Sequence, residues 1–250
     1  MWENFKNNPD VFVHPEKEIY FFNMFYDKGL NWYKQQFETN KKIIIDTTPD
    51  YFTDHCAKKI IKTLPDSKII VCLRNPIERA YSHWKFGIFM GNCRDNFIKS
   101  WEKDWNNSKT MGLYDRHLTS YLDHFRLNET LLVLFYDDIK KNHIEFVEKI
   151  FNYLNVNTSK PLSKKVIPGS KGFEEHFGKN KSSRSKSNKE QLYNSFHESN
   201  IISKNDYNLV LNYYFKSIDN LEKLLDINLS HWKLEYKEFV NAKNYRIKLL

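Results

Sequence analysis

Three short apolar runs punctuate the chain: Ile43–Ile45, Ile69–Leu73 and Leu131–Tyr136. Each fits one buried strand and is too short for a helix. Between them apolar positions recur at three- and four-residue spacing, which predicts amphipathic helices over Asp27–Phe37, Thr53–Leu64, Met111–Phe125 and His143–Leu154. In the third of these, Leu118, Tyr121, Leu122 and Phe125 share a stripe, which turns His117 to another face, to meet an acceptor or, as the better reading, solvent. Two further helical patterns occupy Glu190–Trp232, with Tyr213, Tyr214 and Leu221 on the apolar face. At the other end, Met1–Asn8 reads as the close of a helix stopped by Asn7-Asn8-Pro9. Strands alternating with helices of these lengths imply parallel β–α–β units.

The strongest local signal is the stretch Lys68–Gly91. The apolar run ends at Arg74, Asn75 is suited to cap a helix, and Pro76 suits its first position, where a missing N–H costs nothing. Strand, arginine and capped helix together make an anion-collecting geometry. Free N–H groups at the helix start and the planar donor fork of Arg74 are both expected to contribute. Ser82 follows two turns beyond Asn75, on a face the two can share. An ordinary strand–helix unit with a surface arginine has the same spacing.

Composition narrows the classes. The 250 residues can bury a core and read as one domain. With 40% hydrophobic and 28% charged residues the chain is globular, not disordered. A net charge of +8 favours polyanionic partners. Many of the cations gather in Ser163–Lys189, a glycine-interrupted stretch that reads as a loop, not as a nucleic-acid-binding helix or sheet. Cys56, Cys72 and Cys93 show no metal-ligand spacing, and Cys72, inside a strand, is expected to be a buried, inert thiol. Trp101 and Trp105, at i and i+4, read first as packing residues.

The wording of several segments adds a resemblance. Arg74-Asn75-Pro76 with Glu78-Arg79-Ala80-Tyr81-Ser82 resembles the 3′-phosphate-binding segment of sulfotransferases that use 3′-phosphoadenosine 5′-phosphosulfate (PAPS). Lys17-Glu18-Ile19-Tyr20-Phe21-Phe22 is similar to that superfamily's Lys-Glu-x-His-Phe-Phe motif, with Tyr20 in place of histidine. Gly29, Trp32, Tyr33 and Phe37 match its Gly-x-x-Trp-Tyr-x-x-x-Phe pattern. Asp46-Thr47-Thr48-Pro49-Asp50-Tyr51-Phe52 resembles Glu-Lys-Thr-Pro-x-Tyr-Phe of the carbohydrate branch, with Thr47 where heparan-type members have lysine. Lys171-Gly172-Phe173 and Gly178–Arg184 resemble the segments that meet the adenine and the phosphates.

This resemblance implies an α/β fold: three α/β/α layers around a central parallel sheet, similar to nucleotide kinases. It covers residues 1–232, leaving 233–250 as a basic tail. It implies sulfuryl transfer from PAPS to a hydroxyl or amine of a carbohydrate, with no metal. Glu18 would be the general base, and Arg74 and Ser82 would hold the 3′-phosphate. Lys171, Gly172, Phe173, Lys181 and Arg184 would complete the nucleotide site, and Lys17, Tyr20 and Thr47 would face the acceptor. The strand and glycine loop that cradle the 5′-phosphosulfate in this family would lie upstream of Trp2, where only Met1 stands, so the expected fold is truncated at its N-terminus. A degenerate sulfotransferase fold binding polyanionic glycan or nucleotide is the alternative. No nucleic-acid partner or transmembrane segment is expected. The compartment would be cytoplasmic for a bacterial-like member, or the Golgi lumen if an anchor precedes the chain.

Overall fold

The structure, a computed structural model, describes residues 5–15, 18–157 and 202–247. In chain order the elements are strand β1 (Val11–Val13), helix α1 (Gly29–Gln35), strand β2 (Ile43–Ile45), helix α2 (Asp54–Thr63) and strand β3 (Ile69–Leu73). Helices α3 (Pro76–Met90), α4 (Phe97–Glu102) and α5 (Tyr114–Leu122) follow, then strand β4 (Leu131–Phe135). Helices α6 (Tyr136–Lys141), α7 (His143–Leu154), α8 (Lys204–Leu225) and α9 (Tyr236–Ile247) complete the order. The described residues form two compact units, one drawn from 5–73 and 117–157, the other from 74–116 and 202–247.

The first unit holds all four strands of the described residues. β1 pairs parallel with β2, Val11 opposite Ile43, and β3 pairs parallel with β4, Ile69 opposite Leu131. The parallel arrangement expected from the alternating pattern is present, as two two-stranded sheets among the described residues rather than one continuous sheet. One core serves both. Val11, Val13 and Leu134 pack with Phe146, Val147, Ile150 and Phe151 of α7, and Ile43, Ile45, Ile70 and Leu132 close over them. α7 is delimited by its own sequence. The Asn142 side chain accepts from the Glu145 amide at 3.2 Å, and Asn155 ends the helix at φ 54°, a conformation asparagine tolerates. Two readings need correction here. β4 stops at Phe135, because Tyr136 opens α6 with Asp137 and Asp138 in its first turn, where carboxylates favour a helix start. Cys72 is exposed: on β3 it alternates with buried Val71 and Leu73, so the pleat turns it to the other face.

The second unit is helical. α8 buries Tyr207, Val210, Tyr214, Ser217, Ile218 and Leu221 at helical spacing. Tyr214 is tied at its hydroxyl, donating to the Lys109 carbonyl at 2.8 Å and accepting from the Trp101 indole at 3.1 Å. Trp101 is thus a packing residue, 3% exposed. Trp105 packs too, lying so close to Gly87 of α3 that a Cβ there would fall 2.1 Å from its ring. Residues 236–247, within the segment read as a basic tail, form α9, which buries Phe239 against the Tyr207 ring at 4.4 Å. Among the described residues no helix is long and apolar enough to cross a membrane.

α3 starts as its sequence predicts. Asn75 Oδ1 accepts from the Ile77 and Glu78 amides at 3.0 and 3.3 Å, Pro76 occupies the first position, and Asn75 Nδ2 donates to the Trp232 carbonyl at 3.3 Å. Asn75 is 6% exposed, so water cannot replace these bonds. Asn75→Ala is expected to lower stability by about 1–2 kcal/mol in urea unfolding, with Asn75→Asp keeping the cap and recovering part of the loss. Equal stability of Asn75→Ala and the wild type would show that the cap contributes nothing.

Candidate active site

In the first unit the segment after Glu18 is held by a buried polar frame built on β2 and the turn behind it. Asp46 follows β2 directly. Its Oδ1 accepts from Thr48 Oγ1 at 2.6 Å and from the Thr48 amide at 3.2 Å. Its Oδ2 accepts from the hydroxyls of Tyr51 at 2.9 Å and Tyr33 at 3.1 Å. The same hydroxyls reach the segment: Thr48 Oγ1 accepts from the amides of Ile19 at 3.0 Å and Tyr20 at 3.4 Å, and the Tyr51 hydroxyl from that of Phe21 at 2.8 Å. Tyr20 takes the left-handed conformation, φ 55° and ψ 22°, and its phenol donates to the Glu18 carboxylate. Thr47 is half-buried between Asp46 and Thr48.

The electrostatics of this frame follow from burial. Desolvation pushes the Asp46 carboxyl above its ordinary value, opposed by the hydrogen bonds from Thr48, Tyr51 and Tyr33. Burial and the neighbouring Asp46 charge push the Tyr33 and Tyr51 phenols up, so both remain protonated donors.

In the second unit Arg74 precedes the Asn75 cap of α3, and Glu78 and Ser82 follow one turn apart on the helix. The Arg74 guanidinium donates through Nη2 and Nε to Glu78 Oε2 at 3.0 and 3.3 Å, and the Tyr114 hydroxyl holds the Arg74 carbonyl at 2.9 Å. Lys85 lies one turn beyond Ser82, its ammonium 5.0 Å from the Tyr81 ring centre. Partial burial and the Arg74 charge lower the Lys85 pKa, and Glu78 opposes them. One expectation changes. Asn75 already occupies the Ile77 and Glu78 amides, so these helix-start donors are not open to an anion.

His117 is not turned to solvent. Its side chain is 12% exposed, with Nδ1 2.7 Å from Asp54 Oδ1 and its ring edge-on to Phe52. The pattern around Met111 placed it off the stripe but could not show that α2 supplies a partner. Lys17, Lys171, Gly172, Phe173, Lys181 and Arg184 lie outside the described residues. Among those described, no group of three histidine, cysteine or carboxylate side chains could hold a metal ion. Sequence reasoning missed Asp46, Thr48, Tyr33 and Tyr51 as one cluster; the signal was two motifs whose polar residues converge only after folding.

A sulfotransferase domain model matches residues 5–208. The chain belongs to the sulfotransferase family. It is 36% identical over 89 residues to the membrane-associated sulfotransferase kil1 of Dictyostelium discoideum, covering 33% of this chain and 19% of that protein. It is 30% identical over 137 residues to heparan sulfate glucosamine 3-O-sulfotransferase 6 of Mus musculus, covering 48% and 40%. The bifunctional heparan sulfate N-deacetylase/N-sulfotransferase 1 of Caenorhabditis elegans is 30% identical over 130 residues, covering 47% and 15%. The match thus spans less than half the length of each of these relatives. A crystal structure of a sulfotransferase from Alicyclobacillus acidocaldarius superposes with a TM-score of 0.71 at 16% identity, covering 92% of both chains, so this sulfotransferase has the same α/β fold.

The Asp46 frame gives this sulfotransferase a signed pH dependence. The native Asp46 pKa lies above its ordinary value of 3.8, so within that window the native state binds more protons than the unfolded state. The contribution of Asp46 to stability therefore falls as pH rises through the window. In urea unfolding, the stability of the wild type relative to Asp46→Asn should decrease from pH 4 towards neutrality. An increase over that range would contradict the assignment.

Proposed function

We propose that this chain transfers a sulfuryl group from PAPS to a hydroxyl or amine of a carbohydrate, with an acidic glycan of the heparan type as acceptor. The observation that carries the reading is the sulfotransferase-domain match across residues 5–208. The motif resemblance adds Glu18, Arg74 and Ser82 as the residues to carry it. The heparan sulfate sulfotransferases among its relatives support the acceptor class, and the net charge of +8 suits a polyanionic glycan.

Sulfuryl transfer is an in-line displacement, so positioning and charge stabilisation dominate its catalysis. Glu18 takes the proton of the attacking hydroxyl or amine as its bond to sulfur forms. The bond from sulfur to the phosphate oxygen breaks, and 3′-phosphoadenosine 5′-phosphate leaves. Arg74 and Ser82 hold the 3′-phosphate, the guanidinium by a bidentate contact and the serine by its hydroxyl. Phe173 stacks on the adenine, Lys171 and Gly172 shape that contact, and Lys181 with Arg184 meets the phosphates. Lys17, Tyr20 and Thr47 face the acceptor.

Two variants separate the roles. Arg74→Ala is expected to weaken 3′-phosphoadenosine 5′-phosphate in calorimetry by roughly 10–100-fold, from a charge-assisted pair of about 1.5–3 kcal/mol, while ADP changes little. Glu18→Gln is expected to abolish transfer of radiolabelled sulfate from PAPS to heparan sulfate and to keep the nucleotide affinity of the wild type. Nucleotide binding without transfer by the wild type itself would overturn the enzymatic reading in favour of a binding module.

A further inference from the structure

Glu18 stands beside a backbone turn that is costly on its own. Tyr20 is an aromatic residue at φ 55° and ψ 22°, in the left-handed region that side chains with a Cβ disfavour. The turn is held from both sides. The Tyr20 carbonyl accepts from the amides of Met24 at 2.9 Å and Phe25 at 3.1 Å. On the other side, three successive amides, those of Ile19, Tyr20 and Phe21, are bound by two hydroxyl oxygens, Thr48 Oγ1 and the Tyr51 phenol. Both hydroxyls direct their own hydrogens to one carboxylate.

That last point makes Asp46 central. A hydroxyl has one hydrogen and two lone pairs. Because Asp46 takes the hydrogens of Thr48 and Tyr51, their lone pairs must face the amides of 19–21. An amide at position 46 keeps one acceptor and replaces the other with a donor, so one of the two hydroxyls would lose its anchor. The left-handed turn in turn brings the Tyr20 phenol onto the Glu18 carboxylate. We infer that Asp46 is a positioning residue for Glu18, acting through Thr48 and Tyr51 on the backbone of residues 19–21. The inference rests on the general-base role proposed for Glu18, and it concerns how that carboxylate is aimed, not how the nucleotide is bound.

The test uses the full chain and the variants Asp46→Asn, Thr48→Val and Thr48→Ser. Transfer from PAPS to heparan sulfate gives kcat and KM, and calorimetry gives the affinity for 3′-phosphoadenosine 5′-phosphate. Asp46→Asn and Thr48→Val should lower kcat by roughly 10–100-fold, as for a misplaced reacting group, with nucleotide affinity within about 2-fold of wild type. Thr48→Ser keeps the hydroxyl and should restore kcat to within about 3-fold. An unchanged kcat in Thr48→Val, or a parallel loss of nucleotide affinity, would overturn the inference. If the wild type transfers nothing to heparan sulfate, the proposed activity fails but the geometry is still decided. The Glu18 carboxylate titration, followed by ¹³C NMR and assigned by its loss in Glu18→Gln, should then shift in Thr48→Val and not in Thr48→Ser. An unmoved midpoint in Thr48→Val would refute the positioning role.

Discussion

One carboxylate, Asp46, orients the polar interior behind the Glu18 segment. Buried hydroxyls are ambivalent, able to donate or accept, and a cluster of them has several nearly equivalent hydrogen-bond patterns. A carboxylate accepts only, and this one collects the hydrogens of Thr48, Tyr51 and Tyr33 at once. The network is thereby left with a single polarity, and the amides of 19–21 meet oriented lone pairs. Desolvation works against this arrangement and the hydrogen bonds offset it in part, which is the usual balance of a buried polar network. Aromatic packing surrounds it: Phe21 stacks on Tyr33 with ring centres 4.5 Å apart, and Tyr51 meets Phe22 edge-on at 5.2 Å.

The second unit solves a different problem with the same economy of residues. Asn75 supplies an acceptor to two amides at the start of α3 and a donor to the Trp232 carbonyl, so one side chain both begins the helix and anchors residues far along the chain. The Tyr114 hydroxyl fixes the carbonyl of Arg74 next to it. The backbone beneath the Arg74 guanidinium is therefore held in place by neighbouring side chains.

The sequence made the elements legible because most are delimited by local chemistry. The run Ile69–Leu73 and the cap at Asn75 appear where the pattern places them, and the helix from His143 to Leu154 has the predicted bounds. What it could not show was convergence. Asp46, Thr48 and Tyr51 lie in one motif and Tyr33 in another, and nothing in either spacing says that four polar groups will share one buried point. The exposure of Cys72 and the burial of His117 had the same origin. Each is decided by a partner surface, the far face of β3 in one case and α2 with Phe52 in the other, not by the residue's own segment. The free helix-start amides were misjudged for a related reason: the cap that makes the helix also consumes its donors.

The ion pair between Arg74 and Glu78 carries a consequence for discrimination among anions. The guanidinium is not an open receptor; an internal carboxylate already engages it through two nitrogens, and the Glu78 side chain is only 10% exposed. Any visiting anion competes with a tethered rival whose effective concentration is high and whose dissociation leaves a poorly hydrated charge behind. A weakly basic monoanion such as chloride gains too little to displace it. A phosphate monoester, with nearly two negative charges and three acceptor oxygens, competes far better for the fork. The carboxylate thus sets a threshold of charge that any anion must exceed to displace it from Arg74.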